Sequence, residues 1–544
     1  MKSIIPLFLY FVPIFSSTLP PVTYKSYQNE IECRSKVPIQ TPKTIEEIQT
    51  IVKDATKSNT HVRVVGSRHS VTDTICTDGI PLHLDHFQKV TVNSDQQTAT
   101  IESGIELQDA IEALHQKGYA LQQMPSFGAI TVGGALALGA HGSSLRHPNT
   151  LSEYLVGATV IDGHGEIQKV NDPQELDAFR VNFGLLGVII DVTLEVVPQF
   201  KLEIENYRVS DTFLFTNHTQ ILEMARQLDW FQFWWFPSSD SMVIAKGKKV
   251  PLSTKGDAKT NLVANAPPAI TAISDVSLEV LALGNSFTGM SLIQKVTEDS
   301  LYKPGLLKEP VYSENGKFVN PAVGYSHRLM ANRCNPCAWD FPVTDLLAVQ
   351  PGEGSIAVSV TKFASVMADI KQMIKENPTA FPMYGLFVRF SPPSRGLFAI
   401  QHQQESFHVD IGYPLRLDPK NQAAYGLPVI QAITQLMFDK YNGRPHWGKN
   451  GRHFFKHDFL VKKYPAESFS KFKAVVQKYD PKGVFSNQFG DRILGVDQNI
   501  EKIPVSHCAI QSYCLCQKNT DCSSTDYCGK IMDYPVCRPV IKIL

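Results

Sequence analysis

The stretch "VRVVGSRHS", residues 62–70, sets a histidine just past a run of alternating valines. The valines read as a buried strand, Gly66 and Ser67 turn the chain, and His69 and Ser70 follow. An imidazole in that place is either a hydrogen-bonded loop histidine or a group that touches, or is bonded to, a cofactor. A second stretch, "PSFGAITVGGALALGAHGSSL" (125–145), holds Gly128, Gly133, Gly134, Gly139 and Gly142. Glycines let backbone N–H groups approach an anion and form nests for phosphate, but tight packing and loops of positive φ use them equally well. No GxGxxG follows a strand and no GK[ST] is present here, so neither a Rossmann site nor a Walker loop is expected. "NFGLLGVII" adds Gly184 and Gly187 before a strand, on its own evidence a bulge or turn. "GRPHWGKN" (443–450) packs Arg444, His446, Trp447 and Lys449 into one loop. Cations beside an aromatic suit an anionic or enolate-like ligand; a surface turn with a Trp anchor is the plainer alternative.

The elements that must position these residues are mixed. Thr44 with Glu47 forms a capping box, and Ile45, Ile48, Val52 and Ala55 share one helical face. "ELQDAIEALHQKG" is a second amphipathic helix, with Gly118 where a C-terminal cap belongs. "YLVGATVIDGHGEIQKV" reads as a hairpin turning at Asp162–Gly163, and "GVIIDVTLEVV" as a strand. Residues 364–377 form a good amphipathic helix, and "PAESFSKFKAVVQKYDPKGVF" holds a longer one that ends at Asp480–Pro481. The region 247–268 reads as a loop or linker. Short helices and strands mixed in this way make an α+β chain.

Bulk properties narrow the class. The 544 residues are 43% hydrophobic and 19% charged, enough for two or more domains with real cores. Lys plus Arg is 52 and Asp plus Glu is 52, with no basic run, so nucleic acid is not an expected partner. The first 18 residues have a Lys2 start, an apolar Ile4-to-Phe15 run and small residues after it, as a secretory signal does. No later segment reads as a transmembrane helix, and an uncleaved N-terminal anchor is the alternative. Six of the ten cysteines lie from Cys508 to Cys537, read as a disulfide-stapled tail rather than a metal site. Cys33 and Cys76 could form another bridge. Cys334 and Cys337 make a lone CxxC, for which a structural role is expected, and Asn217 heads the one glycosylation sequon.

In their order and spacing, His69 after a strand, "TVGGALALGAHGSS", "FGLLGVI" and the late "HWGK" resemble the aldonolactone oxidoreductases, flavoproteins of the vanillyl-alcohol-oxidase fold. "GYSHRLM", "CAWD" and "DPKGVFSNQF" fit the same pattern, and the likeness is closest to the plant-type L-gulono-1,4-lactone oxidases. The resemblance implies an α+β fold with a two-lobed FAD-binding domain of the vanillyl-alcohol-oxidase (PCMH) type, an α+β substrate cap and a disulfide-rich C-terminal tail. The expected boundaries are 1–18 for the signal, 33–201 for the FAD-binding domain, 202–430 for the cap, 431–500 for a segment returning to the flavin, and 505–544 for the tail.

It also implies roles for residues. Gly66, Ser67, Arg68, His69 and Ser70 match the motif whose histidine bonds the flavin, so covalent FAD through His69 is expected; Arg68 stands where a small residue is usual. Gly133, Gly134, Gly139, His141, Gly142 and Ser143 would wrap the pyrophosphate, and Gly187 and Val188 would sit beside the adenine or ribose. Lys449 would polarise substrate and balance charge, Arg389 would contact substrate, and His446 is the third catalytic candidate; Arg444 would orient the loop. Phe387 stands where the family carries a glutamate, two residues before Arg389, which leaves substrate choice open. Ala140 is a candidate oxygen gate. The expected partners are a small sugar lactone and oxygen or another acceptor, in a secreted or lumenal protein. The alternatives are a flavin oxidase of another sugar or alditol, and a secreted protein that binds without catalysis.

Overall fold

The computed structural model describes residues 21–27, 31–260, 312–331, 349–377, 385–416, 427–496, 507–509 and 513–540, together with Leu292, Lys295 and Arg333. The expected signal segment and the CxxC of Cys334 and Cys337 lie outside these residues.

The N-terminal part forms where the periodicities predict. Helix Ile45–Lys57 starts at Thr44, whose hydroxyl accepts from the Glu47 N–H, and it buries Ile48, Val52 and Ala55. Helix Leu107–Gln116 buries Leu107, Ala110, Ile111 and Leu114, and the chain leaves it through Gly118 at φ 80°. Strands Val90–Asn93, Thr98–Glu102, Val188–Glu195, Leu155–Ile161 and Ile167–Val170 pair in that spatial order into one antiparallel sheet. A register shift between Ile189 and Asp191 turns the central strand. Val188 and Ile190 therefore pack with Ile48, Val52 and Val62, whereas Val192 and Leu194 pack with Ile111 and Leu114. The strands Val62–Val64 and Ile80–Leu82 pair in parallel beside this unit.

The second unit is an eight-stranded antiparallel sheet of the described residues. Its spatial order is Ala322–Tyr325, Lys201–Ser210, Ser241–Val250, Trp230–Phe236, Leu386–Ser391, Ser406–Arg416, Val349–Ser359 and Arg444–Pro445. The sheet thus starts at Lys201, one residue before the expected cap, and runs past 430 to take in Arg444–Pro445. Side chains alternate across a strand. Phe231, Phe233 and Trp235, Leu386, Val388 and Phe390, and Phe407, Val409 and Ile411 share one core with helices Phe363–Glu376 and Leu427–Asp439. The opposite face of the same strands is left for Trp234, Phe387, Arg389, His408 and Asp410. That alternation makes one side of the sheet structural and frees the other for chemistry.

Helix Ala466–Tyr479 ends at Asp480, whose carboxylate accepts from the Val484 and Phe485 N–H groups. Disulfides join Cys33 to Cys76, Cys508 to Cys514, Cys516 to Cys528 and Cys522 to Cys537, so the tail is disulfide-stapled and the N-terminal hairpin is tied to the loop after His69. No helix among the described residues is long and apolar enough to cross a membrane.

Candidate active site

One cavity lies between the N-terminal unit and the open face of the large sheet. Its lining brings together Gly66, Ser67, Arg68, His69, Ser70, Gly134, Ala140, His141, Arg389, His446 and Lys449 from far-apart segments. Strand register places the sheet's contribution. Trp234 pairs with Phe387, Phe387 with Asp410, and Arg389 with His408. The Trp234 and Phe387 rings stack at 4.6 Å and form an aromatic wall.

The loop 444–450 meets the sheet through Lys449, whose Nζ lies 3.3 Å from Asp410 Oδ1. Arg389 donates from Nε to Asp410 Oδ2 at 2.8 Å and from Nη1 to the His141 carbonyl at 2.7 Å. Asp410 therefore sits between two cations, and Arg389 joins the sheet to the glycine-rich loop. The anchor of 444–450 is Trp447, fully buried, with its indole N–H on the Phe398 carbonyl at 2.7 Å. Val71 N–H donates to the Gly448 carbonyl at 2.9 Å, and the Thr72 hydroxyl to the Trp447 carbonyl at 3.0 Å. The chain just after "GSRHS" is thus tied to the "HWGK" loop by one backbone and one side-chain hydrogen bond.

Arg68 adopts φ 61°, a left-handed conformation, and its guanidinium reaches the Lys25 carbonyl at 3.1 Å. That turn carries His69 into the cavity, between Tyr27 at 4.1 Å and Phe127 at 4.8 Å between ring centroids. Burial holds the His69 imidazole down at about 4. His141, His408 and His446 are also buried, with His141 and His408 rings 4.0 Å apart. Burial, and after it the nearby cations, push His408 down to about 3 and hold His141 and His446 well below the usual imidazole range. Asp410 is held far below the usual carboxylate range, because the two cations outweigh its desolvation. At neutral pH two cationic side chains, Arg389 and Lys449, flank Asp410 amid neutral imidazoles.

This charge state has a consequence for stability. An unfolded histidine titrates near 6.5, so below that pH the unfolded chain binds more protons than the folded one. Stability from these imidazoles is complete above pH ~6.5 and is lost as the pH falls toward 4. The thermal midpoint is expected to fall by roughly 5–10 °C between pH 7 and 4.5. Scanning calorimetry across that range checks it; a flat midpoint would mean that the imidazoles are charged in the fold.

Several residues expected near a cofactor do not line the cavity. Gly187, at φ 117°, packs so closely that a Cβ would lie 2.5 Å from Val160 Cγ1, and Val188 is a core residue. Gly133 lies against Ser103, Gly139 turns the chain at φ 65°, and a Cβ on Gly142 would lie 2.4 Å from the Met124 carbonyl oxygen. Ser143 is wholly buried and bonds to Phe231 and Phe390, stitching the glycine loop to the sheet. Arg444 likewise faces away, donating to the Lys463 and His402 carbonyls.

Two charged lining residues have no role in the sequence analysis above. Asp410 is one. Arg63 is the other: it is 4% exposed, and its Nε and Nη1 have no hydrogen-bond partner. A buried guanidinium with open donors is costly unless an anion meets it, so Arg63, packed against Gly184 and lining the cavity with Gly66 and Gly134, fits a diphosphate-bearing cofactor. Its signal in the sequence was only an arginine inside an otherwise apolar strand.

Comparison with known proteins gives a consistent result. Residues 39–171 match the model of an FAD-binding domain, and residues 192–276 and 348–493 that of D-arabinono-1,4-lactone oxidase. The chain is 28% identical to probable L-gulonolactone oxidase 4 of Arabidopsis thaliana, across 94% of this chain and 92% of the relative. It is 26% identical to the L-gulonolactone oxidase of Bos taurus, across 87% of this chain and 98% of the relative. Among solved structures, a solvent-stable cholesterol oxidase superposes with a TM-score of 0.68 over 89% of this chain and 99% of that one, at 16% identity, and so shares the fold.

Proposed function

Since the chain belongs to the aldonolactone oxidoreductases of the vanillyl-alcohol-oxidase flavoprotein family, we propose that it oxidises an aldono-1,4-lactone of the L-gulono or D-arabinono type at C2. It is an FAD-dependent oxidoreductase. The proposed reaction takes a hydride from C2 and a proton from the C2 hydroxyl, gives an ascorbate-type product, and passes the electrons to oxygen as hydrogen peroxide. FAD supplies the hydride acceptor.

The observation that carries this reading is the Arg389–Asp410–Lys449 cluster facing His69 and Arg63 across one cavity. The two cations offset the negative charge the site gains on reduction. Lys449 also polarises the lactone, and Arg389 orients it while holding the two units together. His69, neutral and buried, keeps the free lone pair that covalent attachment to the flavin requires. The N-terminal apolar segment and the disulfides favour an oxidising, secretory compartment.

Anaerobic mixing with L-gulono-1,4-lactone and D-arabinono-1,4-lactone tests the reading. Saturable bleaching of the flavin absorbance is expected, with peroxide formed once air is admitted. An enzyme whose flavin stays oxidised with every aldonolactone would overturn it.

A further inference from the structure

The carboxylate absent from position 387 has a counterpart on the neighbouring strand. Phe387 and Asp410 are direct partners in the antiparallel register, so their side chains leave the same face of the sheet at the same level. Both line the cavity. Asp410 is 8% exposed, and its two oxygens are oriented by Arg389 at 2.8 Å and Lys449 at 3.3 Å. Arg389 meets Oδ2 from Nη2 as well as Nε, both at 2.8 Å. Of the carboxylate's about four lone-pair sites, one therefore remains for a hydroxyl donor, on the Oδ1 side, with Ser355 facing Asp410 from the other neighbouring strand. Beside it the stacked Trp234 and Phe387 rings offer a flat apolar face.

We propose that Asp410 is the hydroxyl-accepting, specificity-determining residue of this site. It takes across the strand pair the place of the carboxylate that Phe387 displaces, while the Trp234–Phe387 wall selects a ring-closed lactone over an open-chain alditol. This rests on the aldonolactone reading. Asp410 accepts a hydrogen bond from substrate but not its proton, because flanking cations make it a very weak base. Phe387 at the same time removes the second acidic group that would have repelled Asp410, so one carboxylate serves where two would compete.

The test uses holoenzyme reduced under nitrogen, which binds lactone without oxidising it, titrated calorimetrically with L-gulono-1,4-lactone and with an alditol. The native chain is expected to bind the lactone and not the alditol. Asp410→Asn is expected to weaken lactone binding about 30-fold, the loss of one charge-assisted hydrogen bond. Adding Phe387→Glu to that variant, which returns a carboxylate from the partner strand, is expected to recover about tenfold. Unchanged affinity in Asp410→Asn, or no recovery in the double variant, overturns the proposal while leaving the aldonolactone reading in place. Alditol binding as tight as lactone binding overturns the role of the aromatic wall. Should Asp410→Asn not accumulate as folded holoenzyme, Asp410→Glu keeps the charge but displaces it by one methylene. It is expected to weaken lactone binding about tenfold, and equal affinity overturns the proposal. A native enzyme whose oxidised flavin no aldonolactone bleaches brings down the functional reading, and this proposal with it.

Discussion

Replacing Lys449 with methionine lowers the limiting rate of anaerobic flavin reduction by roughly 10²–10³-fold, the cost of removing one preorganised charged group from the site. The fold should survive. Asp410 keeps its bond from Arg389 at 2.8 Å. The loop around Lys449 is held by the Trp447 indole and by the Val71 and Thr72 contacts, none of which involves the ammonium. The loss arises from charge. With Lys449 gone, the site loses one of the cations that offset the charge gained on reduction. Stopped-flow reduction at saturating lactone, beside a thermal scan of the same preparation, separates the two effects. A variant that keeps the native rate would remove Lys449 from the chemistry.

His69→Ala is expected to release all of the flavin into the supernatant on acid precipitation, where the native protein keeps its flavin in the pellet. The geometry explains why this imidazole is suited to attachment. It sits on the cavity wall, pinned between Tyr27 and Phe127, and burial keeps it neutral with its pKa at about 4. A protonated histidine has no lone pair to bond with; this one is deprotonated across the physiological range. Absorbance of pellet and supernatant decides the matter. Flavin released equally from both proteins would leave FAD bound without the covalent link.

Part of this protein is legible residue by residue. The Thr44 cap, the apolar faces of the two N-terminal helices and the turn at Gly118 depend on neighbours within a few positions, and the structure has them where periodicity predicts, although the Glu47 carboxylate accepts from the Lys43 N–H and so does not close the expected capping box. The motifs that carry the family resemblance are equally local: a histidine after a glycine turn, a glycine-rich run, and a lysine after a tryptophan. Those segments told which side chains were available for chemistry. Asp410 was not legible in the same way. It lies in "FHVDIGY", an ordinary alternating strand, and nothing within several residues distinguishes it.

What placed Asp410 beside Phe387, Arg389 and Lys449 is the register of two strands and a loop some forty residues further on. Register is fixed by which face is buried, and here Val388, Phe390, Val409 and Ile411 fix it by packing under two helices. The glycines divide on the same ground. Sequence alone gives each of them the same freedom; only the packed fold distinguishes Gly134, on the cavity wall, from Gly187, pressed against Val160. The local elements, the order of the motifs and the family resemblance follow from neighbours along the chain. The tertiary structure decided which side chains share the cavity and what charge each carries, because long-range burial sets both the contacts and the cost of ionisation.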